Sequence, residues 1–294
     1  MTGVAADADE LVQEAFVRAL EATASLEGAD LERWLVRVAT NLSVDRLRRR
    51  KRRSYPGPWL PSPIETAEPV DVADDAAPDA AQRYQRAEEV SYAFLVALEA
   101  LGPRSRAALL LTDVLDYSAS EVADVLGTSE GNVRVLHHRA RRTIDDFDVE
   151  AVPSARAKQS QRAALERFVM CMMQQDAAGM EALLADDVRS ITDGGGRYTA
   201  LKAPLVGRGP VARFHLETAR RRAPISRSEI RWINGVAALV VETAPLRPQM
   251  APRLVLRCEV DAVGRIRELH TVLAPGKLTG VRFERVPAPG PLAG

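Results

Sequence analysis

Apolar positions recur at helical spacing through the first half of the chain and at strand spacing through the second. Residues 9–21, DELVQEAFVRALE, put Leu11, Ala15, Phe16 and Ala19 on one stripe, which predicts an amphipathic helix. Its polar face carries Asp9, Glu10, Gln13 and Glu14. Residues 22–30 read as a small polar loop. Residues 31–53 predict a longer helix with Leu31, Trp34, Leu35, Val38, Leu42 and Leu47 inward. Two such helices bury little between them, so this unit reads as incomplete. Leu11, Phe16, Trp34 and Val38 are expected to be short of partners. One more amphipathic helix, about 20–30 residues, is expected upstream of Met1.

Residues 83–100 and 104–115 predict helices split by Gly102-Pro103. The stretch 115–144 follows. Ser118-Ala-Ser-Glu121 has the spacing of a capping box, in which each side chain satisfies the other residue's free amide. Val122, Ala123 and Leu126 share one face, and Gly127 ends the helix as the residue that enters the left-handed region cheaply. Ser129 or Thr128 caps the next helix, whose apolar stripe is Val133, Leu136, Ala140 and Ile144. Its other faces carry Asn132, Arg134, His137, His138, Arg139, Arg141 and Arg142. Two short helices, a glycine turn and a basic second helix predict a helix-turn-helix. An ordinary helical hairpin with a solvated basic face satisfies the same pattern.

The texture changes after residue 159. Helices are predicted at 162–175, 178–184 and 209–221, and strands at 188–192, 198–203, 229–233, 236–243, 253–260 and 266–272. Asn234-Gly235 is a hairpin signal. Helices first and then antiparallel strands predict an α+β unit, a curved sheet wrapped on helices. Residues 281–294 read as a loose tail.

Charge sharpens the division. The 294-residue chain has formal net charge zero, so any nucleic-acid site is a local patch. Residues 46–53, RLRRRKRR, are almost wholly basic, while Glu65, Glu68, Asp71, Asp74, Asp75 and Asp79 follow with no Lys or Arg among them. Six prolines between 56 and 78 break regular structure there, making 54–82 a solvated linker. Tyr55, Trp59, Leu60 and Ile64 are nevertheless too apolar for a mere spacer and read either as a stiffened segment able to dock or as a disordered linker that happens to hold a Trp. The two cysteines exclude a disulfide framework, and the longest apolar run, Val236–Val241, is too short for a membrane span. With an acidic start, this reads as a cytoplasmic chain.

These segments together resemble an extracytoplasmic-function sigma factor of the subgroup with a C-terminal SnoaL-like extension. DADELVQEAFVRAL (7–20) resembles the polymerase-clamp helix of sigma domain two, and WLVRVATNLSVDRLRRRKRR (34–53) its −10 recognition helix. Residues 98–142 resemble sigma domain four, and 160–280 the polyketide-cyclase-like cone. Three motifs are similar to the subgroup's: W-L-P-E-P at Trp59-Leu-Pro-Ser-Pro63, D-G-G-G-K at Asp193-Gly-Gly-Gly-Arg197 and, weakly, N-P-D-K-L at Ala274-Pro-Gly-Lys-Leu278. Ser62, Ala274 and Gly276 depart from the pattern.

The resemblance implies a multidomain fold: two all-α sigma domains, the second a helix-turn-helix, then an α+β SnoaL-like cone. The implied division is 1–53, linker 54–82, 83–150, 160–280 and tail 281–294. It implies core RNA polymerase as partner, through Asp9, Glu10, Gln13 and Glu14. Promoter DNA would meet Asn41, Asp45, Arg46, Arg48 and Arg49 at −10, with the 22–30 loop taking an unstacked base, and Asn132, Arg134, His138, Arg141 and Arg142 at −35. Trp59, Leu60 and Pro61 would form a regulatory contact with Asp193, Gly194, Gly195, Gly196 and Arg197. No cofactor, metal or catalytic residue is implied, and the free protein is expected to be a monomer, with a small ligand in the extension as a possible partner. His215, His270, Asp193 and Asp187 are the groups a proton-transfer site would need. A stand-alone helix-turn-helix regulator and a SnoaL-like enzyme with degenerate sigma domains are the alternatives.

Overall fold

The computed structural model describes residues 1–21, 28–52, 55–67, 92–145, 154–221 and 224–283. Helix α1 (Ala5–Glu21) lays Leu11 and Ala15 on Leu42 of α2 (Gly28–Arg52), with Leu35, Val38 and Ala39 around them. Leu11 and Val38 thus find partners. The next stripe of α1 does not: Phe16 is 55% exposed and Leu20 80%, beside exposed Val12 and Val17. The opposite side of α2 is covered by the second helical unit. Val44 and Val36 join a core with Ala107, Ala108, Leu111, Val122 and Leu126. Of the 22–30 loop, residues 22–27 lie outside the described residues, and 28–30 form the first turn of α2.

The second unit comprises α3 (Tyr92–Leu98), α4 (Pro103–Asp113), α5 (Ala119–Leu126) and α6 (Glu130–Asp145). Residues 83–91 of the predicted helix lie outside the described residues. Both halves of the Ser118–Glu121 capping box form, and Gly127 closes α5 with φ 58°. Ser129 accepts the Asn132 amide at the start of α6.

The extension has α7 (Ala155–Gln174), α8 (Ala177–Leu183) and α9 (Arg208–Arg221). Its strands are β1 (Leu184–Asp193), β2 (Leu205–Val206), β3 (Ile225–Ile233), β4 (Val236–Thr243), β5 (Arg253–Val260) and β6 (Ile266–Val272). They form one sheet in the order β2-β1-β6-β5-β4-β3. Asn234 and Gly235 turn β3 into β4 with φ of 50° and 75°. Two expectations need correction. The first strand starts at Leu184 and pairs parallel with β6, because α9 carries the chain over before the β3–β6 meander returns to it. Residues 198–203 form no strand: the Arg197 and Tyr198 amides fold back to the Gly194 carbonyl, and Pro204 cannot donate to a ladder.

Every residue of β4 is buried, because both faces of the sheet are covered. One face packs on the helices through Phe168, Leu165, Val211, Leu239, Leu256 and Leu269. The other packs Ala238, Val240, Val255 and Val272 against Leu60 of the linker and Leu278 and Val281 beyond β6. Val281 and Phe283 therefore belong to the core, not to a loose tail; residues 284–294 lie outside the described residues.

Candidate nucleic-acid and regulatory interfaces

The linker crosses the outer face of the sheet. Asp193 ends β1 fully buried and accepts the Leu60 amide at 2.9 Å. Lys277, on the 3-10 turn Pro275–Gly280, donates to the Leu60 carbonyl at 2.6 Å and to Asp193 at 2.5 Å. One linker residue is thus held by both its backbone groups. Tyr55 donates to the other Asp193 oxygen at 2.5 Å, and the Gly195 amide to the same oxygen at 3.0 Å. Burial pulls the Lys277 pKa down to about 8 against the opposing pull of Asp193. Burial, then the bond to Asp193, raises that of Tyr55. Farther along, Thr66 donates to the Trp232 carbonyl at 3.0 Å, and Asn234 donates to that of Ile64 at 2.8 Å.

The predicted contact residues divide. Trp59 lies over the ammonium of Lys277, 4.0 Å from its ring centre, and Leu60 meets Asp193. Gly195 and Gly196 face Tyr55 and Pro56 instead: a Cβ on Gly196 would stand 2.5 Å from Pro56. Arg197 is exposed, 5.9 Å from the Tyr198 ring centre. Among the described residues its guanidinium makes no hydrogen bond or ion pair to the linker. Ser62 turns away from it, accepting the Ala5 amide at 3.2 Å and donating its own amide to the Gly3 carbonyl at 2.8 Å. Lys277 and Pro56 were missing from the expected set, and Tyr55 belonged to the docking segment but not to the residues assigned to this contact. The lysine of the Ala274–Leu278 motif was the available signal.

The basic helix α2 is partly engaged. Arg46 holds Asp7 at 2.7 Å and Glu10 at 2.8 Å, so Glu10 and Arg46 neutralise one another rather than facing separate partners. Asn41 donates to the Val125 carbonyl at 3.4 Å, bringing α2 onto α5 of the helix-turn-helix. Asn41, Asp45 and Arg48 line a cleft of about 230 Å³ with Arg104 and Leu126. Arg48 pairs with Asp45 at 3.3 Å, and Arg49 is exposed. On α1, Asp9, Gln13 and Glu14 are exposed, Glu14 pairing with Arg18.

On α6, His138 and Arg142 are exposed. Asn132 donates to Thr128 at 2.8 Å, and Arg134 pairs with Glu130 one turn back. Arg141 and His137 share Asp113 of α4, at 3.0 and 2.7 Å. Burial of Asp113 raises its pKa, but the bonds from Arg141 and His137 outweigh this and leave it below the usual carboxylate value.

The proton-transfer candidates do not converge. His215 meets Ser190 at 3.0 Å on the helix-facing side of the sheet. His270 meets Glu268 at 2.8 Å on the opposite side, beneath Tyr92 of α3. Asp193 is committed to the linker and Asp187 is exposed. Ligand atoms of Glu259, Glu268 and His270 lie within 4.8 Å of one another. Arg189 reaches Glu268 at 3.2 Å, while Arg257 and Arg267 each reach Glu259 at 3.6 Å. Guanidinium groups already balance both carboxylates, so no metal is assigned there.

Residues 1–53 match the family described as Sigma-70 region 2, and residues 91–144 that described as Sigma-70, region 4. The chain is 31% identical over 287 residues to the ECF RNA polymerase sigma factor SigJ of Mycobacterium tuberculosis (strain ATCC 25618 / H37Rv), covering 95% of this chain and 88% of that one. It is 32% identical over 295 residues to the probable ECF RNA polymerase sigma factor SigI of Mycobacterium tuberculosis (strain CDC 1551 / Oshkosh), covering 97% and 90%. The crystal structure of Mycobacterium tuberculosis SigJ matches with a TM-score of 0.69 at 28% identity, over 96% of this chain and 93% of that one. No helix among the described residues is long and apolar enough to cross a membrane. Two sigma-70 regions in order, followed by an α+β extension that SigJ shares over its length, place this chain in the family of extracytoplasmic-function RNA polymerase sigma factors with a SnoaL-like extension.

Proposed function

We propose that this protein binds core RNA polymerase, directs it to a promoter, and is restrained by its own extension through the linker. The observation that carries the restraint is the double grip on Leu60, its amide by Asp193 and its carbonyl by Lys277. The docked linker and the core that α2 shares with α4 and α5 keep α1 and α2 beside the helix-turn-helix, whereas −10 and −35 elements require them apart. Opening is then a shift between two states, and whatever binds the open one drives it.

Asp9, Gln13 and Glu14, with Glu10 once Arg46 releases it, are assigned to the polymerase. Arg48 and Arg49 are assigned to −10 phosphates, joined by Arg46 after opening, with Asn41 and Asp45 lying along the same DNA. Asn132, Arg134, His138, Arg141 and Arg142 are assigned to −35. The extension (160–280) is assigned a regulatory role, not a catalytic one, since His215, His270 and Asp193 are turned to different partners and Asp187 is exposed. A small ligand of that unit and a monomeric free state belong to the same reading.

The test is transcription with core polymerase on the region upstream of the protein's own coding sequence. The protein should co-purify with core and yield a promoter-specific transcript that Lys277→Ala increases. Absence of both co-purification and transcript would remove the reading.

A further inference from the structure

Arg50 belongs to the basic run of the −10 helix but points inward. Its guanidinium donates to the Thr2 carbonyl at 3.0 Å and pairs with Glu99, at the end of α3. Its Cζ lies 4.6 Å from the centre of the Trp59 ring, which Lys277 of the extension also approaches, at 4.0 Å. Glu99 in turn holds Arg106 at 2.6 Å, and Arg106 donates to the Met1 carbonyl at 2.8 Å. Gly3 is pressed on the same indole: a Cβ there would stand 2.5 Å from the ring. One arginine therefore touches sigma domain two, the linker tryptophan and sigma domain four.

Arg48 and Arg49, its neighbours, are exposed, while Arg50 keeps only 22% of its side chain accessible. A guanidinium has five donors in a fixed plane. In this arrangement two of those donors serve a carboxylate and a carbonyl, and one face of the plane lies against an aromatic ring. A DNA phosphate offers the same charge as Glu99 and needs the same N–H groups. With its plane held between Glu99 and Trp59, Arg50 meets a phosphate only by leaving them.

We propose that Arg50 is a phosphate-binding residue of the −10 surface whose capture by DNA undoes the contact with Glu99 and Trp59, so that nucleic acid itself unlatches the linker. This rests on the linker-docking reading above. By reciprocity, whatever weakens the Arg50–Glu99 pair raises the affinity for DNA by the same factor that DNA weakens the latch.

The full chain carrying 5-fluorotryptophan reports this by ¹⁹F NMR, the Trp59 signal being assigned by its loss in Trp59→Phe. Lys277→Ala without DNA defines the open position. If Lys277→Ala leaves the Trp59 signal in place, the docking reading itself fails, whatever Arg50 does. If it moves, a duplex of the upstream region should carry the wild-type Trp59 signal to the same position. Glu99→Gln should reach that point at about one-fifth of the DNA concentration or less, the low end of ordinary coupling. Because Glu99 also supports buried Arg106, Arg50→Gln is the second variant. It should bind DNA with a log–log salt slope lower by about one unit, and DNA should no longer move its Trp59 signal. DNA binding to the wild type without movement of Trp59, or an unchanged DNA response in Arg50→Gln, overturns the proposal.

Discussion

Asp193 and Lys277 meet at 2.5 Å with their side chains 0% and 5% exposed, and each also holds one backbone group of Leu60. Burying two charges is costly, and their attraction offsets the cost only when the remaining lone pairs and protons are satisfied. Here Tyr55, the Gly195 amide and both Leu60 backbone groups satisfy them. Removing one partner strands the other. Asp193→Asn or Lys277→Met should each destabilise the folded chain by about 3–5 kcal/mol. The double variant should cost less than the sum. Urea denaturation of the three variants measures the coupling; strict additivity would show that the two charges act separately.

Gly280 allows the linker to pass. A Cβ at Gly280 would meet the Pro63 carbonyl oxygen at 2.9 Å, a backbone atom that cannot swing away. Gly280→Val should cost about 1–3 kcal/mol, as overpacking does. The cost should fall on docking, so limited proteolysis should cut residues 55–67 faster while leaving the helix-turn-helix intact.

Ser62 occupies the position of an acid in the subgroup's motif. Its hydroxyl accepts the Ala5 amide, one of the free donors at the start of α1. Ser62→Ala should therefore cost about 1 kcal/mol, the usual worth of such a cap. Ser62→Asp should stabilise the same helix end through its negative charge. Thermal melts of both variants check the direction, and equal melting of all three proteins would remove the capping role.

Asp113 fastens the recognition helix through Arg141 and His137. Its folded pKa is below the ordinary value of about 3.9. Its contribution is accordingly present above that value and lost as pH falls through the folded one. Acid denaturation of Asp113→Asn should lack this part of the low-pH loss seen in the wild type. An identical acid limb would contradict the assignment.

Arg134 and Arg141 should then behave differently toward DNA. Arg134 makes only an exposed pair with Glu130, so Arg134→Ala should weaken −35 binding by about 1–3 kcal/mol with little change in stability. Arg141→Ala should lose stability as well, because Asp113 loses a partner. Binding and melting measured on the same preparations separate the two effects.

Local signals made the helix-turn-helix legible. Ser118, Glu121, Gly127 and Ser129 act within a few residues of one another, and each bond they predict is present. The docking of Trp59 and Leu60 was legible as apolar surface with no core of its own. The grip that holds them was less so. Lys277 is 217 residues from Leu60 and 84 from Asp193, and Arg50 is 49 from Glu99. No periodicity reports such pairs. The covering of α2 was hidden for the same reason: Val44 is buried by the second helical unit, not by its own. The parallel pairing of β1 with β6 depends on the path of α9, which the alternation within either strand does not encode.

The separation of the two DNA-reading units in the free protein tests the central claim most directly. Spin labels at exposed Arg37 of α2 and Asp124 of α5, in a Cys171→Ser background, report it by pulsed electron paramagnetic resonance. The wild type should give one narrow, short distance, and Lys277→Ala a broad distribution at longer distance with unchanged far-ultraviolet circular dichroism. A short, narrow distance retained in Lys277→Ala, or a broad one already present in the wild type, would contradict a linker-held compact state.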